Sequence, residues 1–262
     1  VYEPVGVCAL IAPWNYPLLQ LSWKVAPALA AGNCVVIKPA SSTPLTAIHL
    51  VRLLEEAGAP AGVVNLVIGP GARVGQALAD SPDVDLISLT GGIDAARGLV
   101  LGAAVNMKRI AMELGGKSPN IIFADADFET VVDNALTAAF THSGQVCSAG
   151  CRAIVEAPIA ERFITELARR AELIRLGHGS DDATEAGALI SAEHRAKVEA
   201  FVDGRGGLDC RRLARPAGGR APPPRNGVDQ RLQRLPATGR MGRLQAIRDR
   251  TGTWPQRTRR VP

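Results

Sequence analysis

The sequence lacks the features that mark membrane and secreted proteins. No apolar run approaches the roughly 20 residues that a membrane-spanning helix needs. No basic segment followed by an apolar stretch opens the chain, so no signal peptide is recognisable. The first residue is not methionine, and we therefore expect the sequence to begin inside a longer protein. Nothing in it indicates a membrane partner.

The cysteines form no recognisable disulfide framework or zinc site. Their number is odd, and no two of them stand in a Cys-x-x-Cys spacing. Small secreted domains and structural zinc sites usually carry such paired cysteines. We therefore expect a protein of the reducing cytoplasm that binds no metal. The cysteines are Cys8, Cys34, Cys147, Cys151 and Cys210.

Lysine, phenylalanine and tyrosine are missing from residues 204–262, which are rich in arginine, proline and glycine. Of the 25 arginines in the chain, 15 lie after Asp203, so the preceding residues carry more acidic than basic side chains. A segment with so little apolar surface should be disordered. A basic nucleic-acid arm and a flexible linker are two functional interpretations, but we favour out-of-frame translation of a GC-rich gene. We expect no nucleic-acid partner, although a net charge of +5 would ordinarily suggest one.

Up to Asp203, short apolar runs alternate with amphipathic stretches, which predicts strands alternating with helices. This order is typical of an α/β fold with a parallel sheet built from βαβ units. Thr43 is a candidate cap for the second helix, and Ser191 for the last one. The predicted strands are residues 6–11, 34–38, 63–68, 85–89, 109–113, 120–123 and 152–156. The predicted helices are residues 18–31, 44–57, 71–79, 95–105, 127–143, 160–175 and 192–202.

Polar or glycine-containing segments follow the predicted strands, at the edge where parallel sheets bind ligands. The pattern Gly69-x-Gly71-x-x-x-Gly75 fits either a plain turn or a loop whose backbone N–H groups approach a pyrophosphate. Lys38 is either a solvated strand end or a cofactor contact. Glu113, before two glycines, is either a surface residue or a general base.

Two cysteines lie close together on a polar, glycine-containing turn after the fifth predicted helix. A lone cysteine is more often a buried, inert residue than a reactive one. Cys151 fits that description better than Cys147 does.

Five motifs in a fixed order resemble the aldehyde dehydrogenase superfamily over about residues 1–203. Residues 14–20, 86–93, 144–150 and 191–199 are most similar to bacterial glycine-betaine aldehyde dehydrogenases. The resemblance implies a Rossmann-type NAD(P)-binding domain over residues 1–115 and the start of an α/β catalytic domain over residues 116–203. The motifs are Pro13-Trp14-Asn15-Tyr16-Pro17-Leu18-Leu19, Trp23-Lys24-x-Ala26-Pro27-Ala28-Leu29-Ala30-Ala31-Gly32-Asn33, Lys38-Pro39, Glu113-Leu114-Gly115-Gly116-Lys117-Ser118-Pro119-Asn120 and Gly144-Gln145-x-Cys147-x-Ala149-x-x-Arg152.

The resemblance implies a role for each of these motifs. Cys147 would attack the aldehyde as a thiolate, and the Asn15 side chain with the Cys147 backbone N–H would hold the oxyanion. Hydride would leave to a nicotinamide, and Glu113 would activate the water that hydrolyses the thioester. The implied cofactor contacts are Ile11, Pro13, Trp14, Lys38, Ser41, Gly71, Gly75, Thr90, Gly91, Gly92 and Leu114.

The resemblance leaves cofactor and substrate partly open. Ser41 stands where many NAD-preferring relatives carry Glu, so NAD is expected but NADP fits as well. Betaine aldehyde, a quaternary ammonium compound, is the favoured small-molecule substrate, with Tyr16 and Trp23 as aromatic walls of its site. A broad aldehyde range is the alternative. The parent enzyme would be a homodimer or homotetramer.

Two rival functions compete with this interpretation. The chain would be an inactive fragment if the parts that relatives have beyond residue 203 are indispensable. An acyl-transferring dehydrogenase would release an acyl-CoA or acyl phosphate, but that branch typically lacks the glutamate that Glu113 represents.

Overall fold

The apolar runs predicted as strands form a parallel sheet in the computed structural model, which describes residues 3–202. Five strands join in the order β3-β2-β1-β4-β5, and every neighbouring pair is parallel. The predictions for residues 204–262, including Cys210, lie outside the described residues. The strands are β1 (Val7–Ile11), β2 (Cys34–Lys38), β3 (Val64–Leu66), β4 (Leu86–Gly91) and β5 (Arg109–Leu114).

Helices cover both faces of this sheet. Helices α1 (Pro17–Ala30) and α2 (Leu45–Glu56) pack on one face, and α3 (Gln76–Asp80) and α4 (Ile93–Ala103) pack on the other. The sequence of β1 is apolar throughout because successive side chains point to opposite faces of the sheet and both faces are buried. Its residues Cys8 and Leu10 enter the first core, and Ala9 and Ile11 enter the second.

Full burial of the large side chains gives each core its stability. Leu21, Val35 and Ile37 in the first core and Ile87 in the second are completely inaccessible to solvent. Burying one such side chain contributes roughly 1.5–3 kcal/mol relative to leaving it exposed. All five strands predicted for this sheet are present, and their ends differ from the prediction by up to two residues.

The order of the strands creates a switch point at the centre of the sheet. The chain builds β1, β2 and β3 outward in one direction and then returns to place β4 on the other side of β1. The connections leaving β1 and β4 therefore run in opposite directions, which opens a crevice at the carboxyl ends of these two strands. Ligands of doubly wound sheets bind in such crevices.

A second, two-stranded parallel sheet follows, formed by β6 (Pro119–Ile122) and β7 (Arg152–Val155). Its core contains Ile122, Val132, Ala135 and the fully buried Phe163. All described residues belong to one compact unit, and the domain boundary near residue 115 stays a prediction. The helices of this part are α5 (Phe128–Phe140), α6 (Ala157–Glu172) and α7 (Ala192–Val202).

An ionic cluster on the surface joins α5 to α6. The Arg170 guanidinium contacts Glu129 and Asp133 of α5 and Glu166 of its own helix. Arg169 also hydrogen-bonds Glu166, and these two guanidinium groups lower the pKa of the Glu166 carboxyl to about 2.

Two local predictions are wrong, and a third is confirmed with a difference in the type of helix. The helix expected over 127–143 ends at Phe140, because His142 and Ser143 both adopt a left-handed φ of 56°. The Thr43 hydroxyl does not cap α2, whose amino-terminal cap position is taken by Pro44. Residues Gly71–Gly75 form a π-helical turn before α3 begins. Among the described residues, no helix combines the length and apolar character needed to cross a membrane.

Candidate active site

The ends of four neighbouring strands bring several of the predicted site residues to one edge of the sheet. Ile11, the last residue of β1, pairs with Lys38 of β2 on one side and with Leu89 of β4 on the other. Thr90 pairs with Glu113, so these residues lie on adjacent strands about 5 Å apart. The pairs Ile11–Lys38, Thr90–Glu113 and Gly91–Leu114 all belong to the carboxyl edge.

The glycine turn after β3 approaches this edge from one side. A Cβ added to Gly75 would lie 3.9 Å from Ile11 Cδ1, so the turn packs directly against the end of β1. A Cβ on Gly71 or on Gly92 would meet nothing within 4 Å, which leaves open space beside the backbone at both points. The turn is therefore open enough for a phosphate group to approach its N–H groups.

Lys38 is the last residue of β2, and Ser41 lies in the loop that follows it. Lys38 is only 3% exposed, and burial lowers the pKa of its ammonium group. Its Nζ donates to the Pro39 carbonyl oxygen at 2.9 Å, and an ammonium group has two further donors to offer. Ser41 Oγ donates to the Gly69 carbonyl oxygen at 2.8 Å, which links the loop after β2 to the glycine turn.

Cys147 lies on a turn, here called the Cys147 turn (residues 142–147), that contacts the sheet edge at two points. Asn15 Nδ2 donates to the Gln145 carbonyl oxygen at 3.0 Å across 130 residues of sequence. A Cβ on Gly116 would lie 3.6 Å from the Cys147 carbonyl oxygen. The structure therefore brings together the loop after β1, the segment that follows β5 and the predicted nucleophile.

The cysteines differ in exposure. Cys147 is exposed, as a nucleophile must be. Cys8 is buried, and burial raises the pKa of its thiol, which keeps it protonated and unreactive. Cys151 is also exposed, so the expectation that it is a buried residue is wrong. The buried residue of this segment is Ala149, two positions before Cys151.

Lys24 is a polar residue of the site that the sequence analysis did not single out. It lies in α1 with 8% exposure, and its Nζ donates to Ser88 Oγ of β4 at 2.8 Å. Burial lowers the pKa of Lys24, and the nearby Glu113 carboxylate opposes that shift. The sequence contained a signal for the burial of Lys24, because its position has the helical spacing of the buried face of α1. The buried residues of that face are Gln20, Leu21, Lys24 and Val25.

The predicted aromatic walls have different surroundings. Tyr16, with a left-handed φ of 48°, stacks on His142 at 4.5 Å between ring centroids. Trp14 contacts His194 of α7 edge-on at 5.3 Å. Trp23 lies on α1 with 63% of its surface exposed, and in the described part of the chain it makes no aromatic contact.

Two open clefts occur elsewhere, and neither contains a predicted site residue. One, of about 510 Å³, is lined by Asp85, Lys108 and Arg109 at the amino ends of β4 and β5, the edge opposite the candidate site. The other lies between α5 and α6 beside Phe128 and Arg162. Within residues 3–202, no group of three His, Cys, Asp or Glu side chains is arranged to hold a metal ion.

Comparison with known proteins identifies the family. The sequence profile of the aldehyde dehydrogenase family matches residues 1–221. The chain belongs to the aldehyde dehydrogenase family. The crystal structure of betaine aldehyde dehydrogenase from Staphylococcus aureus in complex with NAD+ is 51% identical and superposes with a TM-score of 0.76, over 78% of this chain and 41% of that one.

Relatives within the aldehyde dehydrogenase family act on different aldehydes, judging from their names. Betaine aldehyde dehydrogenase of Bacillus subtilis is 60% identical over 203 residues, which are 78% of this chain and 41% of that protein. Retinal dehydrogenase 2 of Taeniopygia guttata is 47% identical over 199 residues, 75% of this chain and 38% of that protein. The chain thus spans about two fifths of the length of these relatives.

Proposed function

We propose that the chain carries the cofactor-binding and thiol-bearing part of an NAD-dependent aldehyde dehydrogenase, which oxidises an aldehyde to a carboxylic acid. The observation that supports this most directly is the hydrogen bond of 3.0 Å from Asn15 Nδ2 to the Gln145 carbonyl oxygen. It joins the loop after the central strand to the turn that carries Cys147. An amide donor and an exposed thiol are the two groups that nucleophilic attack on a carbonyl requires.

In this proposal Cys147 adds to the carbonyl carbon of the aldehyde, and negative charge develops on the carbonyl oxygen. One N–H of the Asn15 amide is committed to Gln145, and the other, which has no partner within residues 3–202, would donate to this oxyanion. The backbone N–H of Cys147 is the second donor. Loss of the aldehyde hydrogen as hydride, for which a bound nicotinamide would be the acceptor, would leave a thioester on Cys147. Glu113 then removes a proton from water, the hydroxide attacks the thioester carbonyl, and the Cys147 thiolate leaves.

The residues at the sheet edge fit a dinucleotide. Gly71 and Gly75 would lie near the pyrophosphate, because the turn that they bound leads into a helix. Gly71 has open space beside it, and the buried Gly75 lets the turn pack against the end of β1. Lys38 has ammonium donors left for ribose hydroxyls. Ile11, Pro13, Trp14, Thr90, Gly91, Gly92 and Leu114 would line the crevice between β1 and β4. A bound nicotinamide supplies the hydride acceptor.

The choice between NAD and NADP depends on Ser41. Its hydroxyl donates to Gly69, and its small neutral side chain neither binds both ribose hydroxyls as a carboxylate does nor repels a 2′-phosphate. The relatives of known structure that contain NAD+ support NAD as the cofactor.

Betaine aldehyde is the proposed substrate, supported by the 60% identity to the Bacillus subtilis enzyme. The face of an aromatic ring attracts a quaternary ammonium group, and Tyr16 and Trp23 are the proposed rings. A broad aldehyde range is supported by the 47% identity to a retinal dehydrogenase. We also propose a cytoplasmic location and assembly into a homodimer or homotetramer.

The test uses the 262-residue chain with NAD and betaine aldehyde. NAD binding is measured by titration calorimetry, and NADH fluorescence is followed through one turnover. Cys147→Ser should lower NADH formation by several orders of magnitude, as for other removed nucleophiles, and should leave NAD binding intact.

Cys151→Ser is the matched control, since that thiol is also exposed and lies four residues away. Cys151→Ser should lower NADH formation only slightly. Loss of NADH formation in Cys151→Ser instead of Cys147→Ser would mean that the wrong thiol has been assigned. A chain that binds no NAD would favour the inactive-fragment alternative.

A further inference from the structure

Gln145 is tied to three separate parts of the chain, two residues before Cys147. Its carbonyl oxygen accepts the hydrogen bond from Asn15. Its side-chain Oε1 accepts from the Ile190 backbone N–H at 3.0 Å. Its Nε2 and its backbone N–H both donate to the His142 carbonyl oxygen, each at 3.2 Å. Both polar atoms of the side chain are therefore engaged in fixing the backbone of the Cys147 turn.

The backbone of this turn needs such support. His142 and Ser143 are left-handed and are followed by Gly144 with a φ of 73°. Residues other than glycine avoid this region, so the turn persists only where its surroundings hold it. The Ser143 hydroxyl donates to the Gly187 carbonyl oxygen at 2.8 Å. Residues 187–190 thus hold the turn at two points, through Ser143 and through the Gln145 side chain.

The same contacts bear on the direction of the Asn15 amide. An amide nitrogen carries two hydrogens in one plane, so directing one of them at the Gln145 carbonyl also fixes the direction of the other. Gln145 precedes Cys147 by two residues and therefore also helps to fix the Cys147 backbone N–H. One residue thus aligns both proposed donors of the oxyanion site.

We infer that Gln145 is a positioning residue for the oxyanion site, and that its side-chain amide acts by holding its own carbonyl against Asn15. This inference rests on the proposed function of Cys147 and Asn15. Donors that are slightly misplaced stabilise a developing oxyanion poorly, although the thiol itself remains present. Loss of the side chain should therefore impair reactions that form an oxyanion and spare those that do not.

The test compares two reactions of Cys147 in the intact 262-residue chain. In the first, the sulfur attacks the carbonyl carbon of p-nitrophenyl acetate, a C–S bond forms through an oxyanion, and nitrophenolate leaves. In the second, the sulfur displaces iodide from iodoacetamide, and no oxyanion forms. Gln145→Met keeps the length of the side chain and removes both of its hydrogen bonds. We expect acylation to fall about tenfold, or about 1.4 kcal/mol, and alkylation to change less than about twofold.

Three controls separate the possible outcomes. Cys147→Ser assigns the nitrophenolate signal, and peptide mapping follows Cys151 as an internal reference. Gln76→Met removes the bond of 2.8 Å from a glutamine to Asp80 on α3 and should leave both rates unchanged. Equal losses of acylation and alkylation in Gln145→Met, or no loss in either, would overturn the inference. Wild-type Cys147 that is acylated no faster than Cys151 would instead contradict the proposed function.

Discussion

Gly102 is the residue at which a single methyl group should do most damage to the sheet's second face. It lies in α4, where a Cβ would fall 2.7 Å from the Cβ of Ala79 and 2.5 Å from Asp80 Oδ1, both in α3. Carbon atoms pack best about 3.5–4.0 Å apart, so the two helices would have to separate by about 1 Å. Ala79 is completely buried and has no room to move away.

Gly98→Ala in the same helix is the matched comparison. The added Cβ would lie 3.1 Å from Gln76 Oε1, the far end of a side chain that can rotate. Replacing glycine by alanine within a helix gains up to about 1 kcal/mol. Adding a methyl group where the core has no space for it costs about 1–3 kcal/mol. We therefore expect Gly98→Ala to be more stable than the wild type, and Gly102→Ala to be less stable than Gly98→Ala by about 1–3 kcal/mol.

Unfolding in guanidinium chloride, followed by far-ultraviolet circular dichroism, measures both variants. Helix α3 continues from the glycine turn, so Gly102→Ala should also weaken NAD binding several-fold, while Gly98→Ala should not. A Gly102→Ala protein as stable as Gly98→Ala would refute the claim that α3 packs too closely on α4 to admit a methyl group at Gly102.

Two further predictions concern charge. Ser41→Glu should raise the preference for NAD over NADP by at least about tenfold, because a carboxylate there repels a 2′-phosphate. The dissociation constants of both cofactors measure this preference, and Ser41→Gln is the neutral control. The depressed pKa of Glu166, about 2 against an ordinary 4.5, stabilises the fold above pH 4.5, and this contribution disappears as the pH falls towards 2. The difference in melting temperature between wild type and Glu166→Gln should therefore shrink over that range, and a difference independent of pH would contradict it.

Elements whose form depends on their own residues could be predicted from the sequence. The β-branched run Cys34–Lys38 forms a strand with the predicted bounds, because it is suited to burial on both faces. The helix Ala192–Val202 also has the predicted bounds. Ser191 caps it, since its Oγ accepts from the His194 backbone N–H at 3.1 Å.

Elements set by distant contacts could not be predicted. No glycine or proline signals the end of α5 at Phe140, and the left-handed residues that follow are held by Tyr16 and Gly187. The Thr43 hydroxyl had the sequence signature of a cap, yet it makes no hydrogen bond within the described residues. Tertiary contacts thus set the end of α5, and no contact in the structure explains why Thr43 does not cap α2.

The candidate site was predictable to the same extent. Strand order places the residues after β1, β2, β4 and β5 at one edge, so the sequence could predict which residues approach each other there. The contact between Asn15 and Gln145 joins positions 130 residues apart, and neither residue carries a local signal for it. Only the resemblance to a family linked Asn15 with Cys147 before the structure did.

The central place of β1 has a consequence for how firmly the reacting groups are held. This strand is paired on both sides and covered on both faces, so its amide hydrogens should exchange with solvent only when the whole sheet opens. Asn15 lies four residues beyond the end of this strand, so the strand limits how far it can move. Glu113 belongs to β5, which is paired on one side and mostly exposed, and it can shift with far less disturbance. The proposed donor for the oxyanion thus lies just beyond the central strand of the sheet, and the proposed base for the hydrolytic step lies on an exposed outer strand.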